Sequence, residues 1–454
     1  MVNNKMDRRS FLKAAAMGSS ALLPLSVSKM SLAANQFSDY KTMVCVFLPG
    51  GNDAYSMLVP TTGPELAEYK RYRANVVQSN LQTLEIVPDS QLSGGLGFIS
   101  QMQGMKDLYN DGVLAIQGNV GSLVQPVTKA QLRSKSVDLP SQLFSHNSQQ
   151  ATWQAGGEPN QTSGAGWGGR MMKFLDQNNS DYNFMQNVSF SGQNTWQSGG
   201  KFPTYVTAPG GLPELGMYTD RRYGNTPRII RKAEVSKFFR EGEYTNIHKA
   251  SFNRIVAGLE SNGSMERAAL ASSGFTSVDG LSETFSAIAN LIKASERKGV
   301  NRQLYFVNFG GWDTHKNQLE QHTDLAQNLS ATLAGFYQAL VANGLESKVT
   351  TFTMSDFGRN LTPNSSGTDH GWASHQFIMG KHVNGGSVYG DIAEQKYDSP
   401  LLRGGVPFPT TSNEQMFSSL AQWFGVESAS DRETLFPNLR NFSQGAVNPN
   451  PNYF

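Results

Sequence analysis

Four apolar runs along the chain each end in a polar, glycine-bearing loop: TMVCVFLPGGND (42–53), VLAIQGNVG (113–121), QLYFVNFGGWD (303–313) and KVTTFTMSDFG (348–358). Short runs of this kind, bounded by turn residues, predict buried strands. Between and after them, apolar positions recur at helical spacing over 97–112, 281–299, 323–344 and 412–426. Strand and helix in alternation predict an α/β fold, with a mostly parallel sheet covered by helices on both faces. Functional groups in such sheets gather beyond the carboxyl ends of the strands, so the loops holding Asp53, Asp313 and Asp356 are expected to converge. The alternation breaks over about 155–275, where Gly, Pro, Asn and aromatic residues dominate. This stretch reads as a loop-rich insertion or cap, with one or two charged helices over 226–260.

The first 34 residues stand apart from this pattern. Arg8 and Arg9 precede Phe11-Leu12-Lys13, an Ala-rich apolar run and a small-residue end at Ala33 and Ala34. That order predicts a twin-arginine signal peptide over 1–34, and hence a periplasmic or secreted protein. Pro24 and several serines interrupt the apolar run, which makes it a poor stable membrane span. The net charge is +2, from 38 basic and 36 acidic residues, with no long run of like charges, so neither a nucleic-acid partner nor a polybasic membrane contact is supported. A single cysteine, Cys45, excludes an internal disulfide and sits in an apolar run, as a small buried hydrophobe would.

Candidate chemistry concentrates in five polar loops. They carry Asn52 and Asp53, Ser145 and His146, Asp313 and His315, Asp356 and Arg359, and finally Asp369, His370 and His375. Four of the seven histidines lie in these loops, so imidazoles and carboxylates collect where strand ends would bring them together. Carboxylates with imidazoles and no usable thiol suit zinc, manganese or magnesium. Taken singly, an Asp after Gly-Gly-Asn also reads as a turn residue, and a metal needs three or four ligands in one place.

In order, FLPGGNDAYSMLVP (47–60), GWGGR (166–170), GGWDTH (310–315), SDFGRN with GTDHG, and PFPTTSNEQMFSSLAQWFGV (407–426) resemble domain-of-unknown-function family 1501, along essentially the whole chain after the signal. The resemblance implies the alkaline phosphatase and sulfatase superfamily, with an α/β/α sandwich and a two-metal site at the carboxyl edge of the sheet. It implies Asp53 as the first ligand and Ser145 as a nucleophile opening a helix. Asp313 and His315 match the Asp-then-His element, Asp356 the strand-terminal Asp, and His370 the final His. Asp313, His315 and His370 would form one metal site; Asp53 and Asp356, with Ser145 or His146, would form a second, oxygen-rich one. Arg359 and Arg170 are candidates for gripping an anionic group, with a structural salt bridge as the alternative for each. Ser145 equally suits a helix N-cap. Phe357 departs from the pattern, standing where the superfamily has a His ligand beside its Asp. The implied function is an exported metal-dependent hydrolase of a phosphate or sulfate ester, acting on a small anionic ester or a polysaccharide with one or two divalent ions. Phe357 favours the alternative, a non-catalytic metal-stabilised binding or assembly protein on the same fold.

Overall fold

Alternation within the first strand organises the whole molecule. In β1 (Lys41–Phe47), Met43, Cys45 and Phe47 face one side and Val44 and Val46 the other, as the two-residue period of a strand requires. Both sides are buried, so both must be covered. The computed structural model describes residues 37–88, 92–176, 186–200, 204–209, 280–297, 300–442 and 450–454. The twin-arginine segment and residues 210–279 lie outside these.

The further strands of the main sheet are β2 (Leu114–Gly121), β3 (Asn187–Ser189), β4 (Tyr205–Val206), β5 (Arg302–Asn308) and β6 (Val349–Met354). After a two-stranded hairpin of β7 (Arg359–Pro363) and β8 (Thr368–His370) come β9 (Ser374–Met379), β10 (Ser387–Tyr389) and β11 (Thr411–Ser412). The sheet runs β10-β2-β9-β6-β1-β5-β3-β4, with β11 also on β2. Every pairing in it is parallel except those of β9, which is antiparallel to both β2 and β6. Cys45 sits opposite both Phe306 and Phe352, and Phe47 opposite Asn308 and Met354. The three central strands therefore end level, and the loops that follow them open at one edge, as expected from the sequence.

The longer helices are α1 (Gly63–Tyr72), α2 (Gln103–Asn110), α3 (His146–Ala155), α4 (Trp167–Leu175), α5 (Gly280–Arg297), α6 (Gln318–Ala342), α7 (Asn413–Phe424) and α8 (Ala429–Leu435). Met105, Phe285, Ile292, Leu329 and Phe336, from α2, α5 and α6, pack with Val44 and Val46 on one face. Trp153, Trp167, Met171, Phe417 and Leu435, from α3, α4, α7 and α8, pack with Met43, Cys45 and Phe47 on the other. The fold is an α/β/α sandwich with a mostly parallel sheet. Trp167 anchors the second layer, its ring 4.7 Å from Phe417 and 5.5 Å from Trp196; emptying that space with alanine would cost about 3–5 kcal/mol. Burial pushes the Cys45 thiol well up, which leaves it unreactive.

Two sequence expectations change. The helix expected over 97–112 begins only at Gln103, because Leu96–Ile99 is a strand pairing with Leu58–Val59 and Thr83–Val87. At Gly97 a Cβ would meet the backbone oxygen of Leu84 at 2.8 Å, a close approach that periodicity does not reveal. The start of the 155–275 stretch, read as an insertion, supplies α4 to the core and β3 and β4 to the sheet; the helices expected over 226–260 lie outside the described residues. Among the described residues, no helix is long and apolar enough to cross a membrane.

Candidate metal centre

Glycine makes the loop after β1 possible. Gly50 and Gly51 hold φ of 114° and 81°, and a Cβ would come within 2.4 Å of the Asp313 nitrogen at Gly50 and 2.6 Å of the Phe357 ring at Gly51. This close passage lets both amides donate to Asp356, Gly50 N at 3.1 Å and Gly51 N at 2.6 Å from Oδ1. Asp356 follows β6 directly and is wholly buried. Its Oδ2 lies 2.6 Å from Nδ1 of His146, the first residue of α3, and accepts from Gln150 Nε2 at 3.3 Å.

Three imidazoles share one arrangement. Each ring has its Nδ1 on an oxygen that can only accept, so a proton held there leaves Nε2 with a lone pair to offer an ion. His146 presents Nδ1 to Asp356, His370 presents Nδ1 to the Phe144 carbonyl at 2.8 Å, and His315 has Nδ1 3.3 Å from Asp369 Oδ1. All three Nε2 atoms then face Asp313 Oδ1, at 3.6 Å for His146, 3.0 Å for His315 and 3.6 Å for His370. The Nε2 atoms of His315 and His370 are 3.1 Å apart. Two lone pairs at that distance repel unless a proton or a cation lies between them. His146 Nε2 is buried with no hydrogen-bond partner among the described residues, an orphan that calls for explanation. Ligand atoms of His146, Asp313 and His370 all lie within 4.8 Å of one another. Nitrogens with protonated far sides held by oxygen acceptors are the usual surroundings of metal-bound histidine, so these residues fit a divalent ion.

The electrostatics agree. Burial pushes the Asp313 carboxyl up, but the hydrogen bond and charge of Arg359, with His315 and His146 adding, bring it below the usual carboxylate range. The hydrogen bond to Asp356 raises His146 against the opposing effect of burial. Burial lowers His370, keeping its imidazole neutral and available as a ligand.

Of the two parts open to it, Arg359 forms the structural ion pair, with Asp313. Wholly buried, its guanidinium gives Nε to Gly51 O at 3.0 Å, Nη1 to Thr368 O at 3.0 Å, and Nη2 to Trp312 O at 3.1 Å and Asp313 Oδ1 at 2.5 Å. These bonds tie three loops together and aim Asp313; they leave little for a ligand. Arg170 lies elsewhere, joining α4 to α8 through the Leu435 carbonyl at 2.6 Å, and burial lowers it to about 10. Asp53 is also not brought into the cluster. It is buried against Arg73 and accepts from Ser56 Oγ at 2.8 Å and from Gln318. Burial opposes its charge, but Arg73 outweighs that and lowers its pKa. Asp53, expected as a ligand, forms a buried ion pair with Arg73.

Ser145 is the N-cap residue of α3, yet its side chain makes no capping bond, and its hydroxyl has no hydrogen-bond partner among the described residues. Phe357 forms an aromatic wall of the cluster, its ring 4.7 Å from both His146 and His370. His375 and His322 are buried outside the cluster, the first against Tyr55 and Asn119, the second against Trp312 and Asn52. Gln150, Asp369 and the Phe144 carbonyl were not assigned a role from the sequence. Only Gln150 carried a usable signal, its i+4 spacing from His146 on a helix.

Thirty chains of solved structures match this one. Three are Ps i-CgsB in complex with k-i-k-neocarrahexaose (11% identity, 89% of this chain and 77% of that one, TM-score 0.38), the sulfatase PsFucS1 from Pseudoalteromonas sp. (9%, 87% and 69%, 0.36) and a mutant of the alkaline phosphatase PafA (10%, 71% and 64%, 0.28). No curated protein matches the sequence. Residues 259–402, which include Asp313, His315, Asp356, Arg359 and His370, match the model of a family described as protein of unknown function, DUF1501.

Proposed function

We propose that the protein is an exported, metal-dependent hydrolase of phosphate or sulfate esters that works with one ion. The observation carrying this reading is the convergence of three Nε2 atoms on Asp313, with the buried His146 nitrogen left without a partner. His146, Asp313 and His370 would hold the ion, a set of two nitrogens and one oxygen that suits zinc and leaves a position open. When bound, such an ion supplies Lewis-acid polarisation of the ester oxygen. A second site is not supported, because Asp53 is committed to Arg73 and Asp356 to Gly50, Gly51 and His146.

The chain's own residues supply the rest. Ser145 begins α3, where unpaired amides and the positive end of the helix favour an anionic group. Its unbonded hydroxyl sits next in sequence to a ligand and is the candidate nucleophile. His315, 39% exposed and with Nδ1 3.3 Å from Asp369, would be the group that holds or releases a proton at Nε2. Arg359 keeps Asp313 ionised and aimed.

Elemental analysis of the purified protein, followed by turnover of aryl phosphate and aryl sulfate esters, tests the reading. Near-stoichiometric zinc with turnover is expected. Protein that takes up no divalent ion overturns the metal centre. Loaded protein inert on every ester supports the alternative of a metal-stabilised binding protein, which Phe357 and the fully engaged Arg359 favour.

A further inference from the structure

Beside the metal centre, at the same edge of the sheet, lies an open cleft of about 520 Å³. That is the size of a small-molecule site, for which roughly 300–1,000 Å³ is usual. Its floor is the carboxyl ends of β1 and β5, where Phe47 and Phe306 stack with ring centres 6.2 Å apart. One wall is α3 and the other is the loop after β3. His146, Gln150 and Gln154 follow one another at four-residue spacing, so one face of α3 carries a metal-centre imidazole and then two amides that line the cleft. Gln150 belongs to both places, because its Nε2 also donates to Asp356.

The lining has a definite chemical character. Every polar side chain among its described lining residues is an uncharged amide or hydroxyl, and none of those residues is Lys, Arg, Asp or Glu. Gln154 spends its oxygen on the amides of Thr195 and Trp196, at 2.9 and 3.1 Å, which leaves its NH₂ group to donate. Asn308 and Thr195 line the cleft with side chains that make no hydrogen bond among the described residues. A nucleotide or other polyanion would want cations here, and a lipid would want a broad apolar wall. Groups that each donate and accept match a ligand made of hydroxyl groups, with Phe47 and Phe306, each 2% exposed, closing the floor beneath it.

We infer that this cleft binds the uncharged carbohydrate part of the substrate, so that the ester cleaved at the metal centre is one carried on a sugar. The inference rests on the hydrolase reading for its role in turnover, but the binding itself does not depend on any chemistry at the ion.

Saturation-transfer NMR on the full protein tests it, using neutral trisaccharides of glucose, galactose, xylose and N-acetylglucosamine as probes. Transfer to ring protons of at least one is expected. The doubly substituted Asn308→Leu, Thr195→Val protein should bind that sugar about tenfold more weakly, a loss of two hydrogen-bonding groups. Circular dichroism and metal content confirm that the variant is folded. No transfer to any of the four sugars, or equal transfer in the double variant, overturns the inference. Binding that survives alongside absent ester turnover keeps the cleft and removes the hydrolase reading instead.

Discussion

Replacing Asp53 with Asn distinguishes a buried ion pair from a metal ligand. The shape is kept and one charge is removed. Both partners are inaccessible, with side-chain exposures of 0% for Arg73 and 0% for Asp53. Arg73 is already short of acceptors, since its Nε and Nη1 have none and Nη2 reaches only Asp53 and Ser56. Neutralising Asp53 leaves a buried guanidinium without a counter-charge, for which about 3–5 kcal/mol is typical. Asn can still accept from Ser56 or Gln318, which argues for the lower part of that range. Denaturant unfolding followed by tryptophan fluorescence reads the loss, and elemental analysis reads the ion. Stability should fall by about 3 kcal/mol, with metal content unchanged. Adding Arg73→Met should restore much of the loss, because both charges are then gone. An unchanged unfolding curve with the ion lost would return Asp53 to the metal centre and refute this account.

Ser145→Ala should abolish ester turnover while the ion stays bound. It should cost less than the ~1 kcal/mol usual for a lost N-cap, because the hydroxyl makes no capping bond; full activity removes Ser145 from the mechanism. Acid should destabilise the protein: burial lowers His322 to about 4 and His375 to about 3. With folded pKa values below the unfolded one, their contribution is complete above about 6.5 and is lost as pH falls, at about 1.4 kcal/mol per pH unit for each. Glu414, which burial raises to about 7, gains in the same direction of pH change and offsets about one of the two. Thermal melts between pH 6.5 and 4.5 should therefore fall by roughly one group's worth, and a flat profile contradicts the assignment. Replacing Arg8 and Arg9 with Lys should hold the precursor in the cytoplasm, since the export machinery reads the guanidinium pair; normal periplasmic accumulation sinks the export reading.

The parallel core was legible because its signal is local. Each of the four apolar runs had to be hydrophobic on both faces, and each showed it. The convergence of Asp313 and Asp356 followed from strand order and parallel direction alone. What escaped was set by distant contacts. Asp53 looks the same in sequence whether its partner is an ion or Arg73, which lies 20 residues away at the end of α1. Gly97 is a strand residue because of what crosses over it, not because of its neighbours in the chain. Arg359 is a cation after a strand, and only the four carbonyl and carboxylate oxygens around it show that it works as a brace. The histidines beside their oxygen acceptors were visible, but not which nitrogen each would turn inward.

β1 lies between β5 and β6, and those two strands touch each other nowhere in the sheet order. The first strand to leave the ribosome is thus the one that its late partners need, and more than half the chain is made before either arrives. During that interval Met43 to Phe47 is an apolar segment with both hydrogen-bonding edges open, the kind of surface that recruits other chains. A fragment cut at the boundaries of the matched region, 259–402, would carry β5 and β6 without the strand that joins them. Such a fragment cannot close the sheet. Production of this protein accordingly depends on keeping one heptapeptide covered until residue 354 has been added, and deletions from the carboxyl end that pass His370 and remove β6 should fail by aggregation.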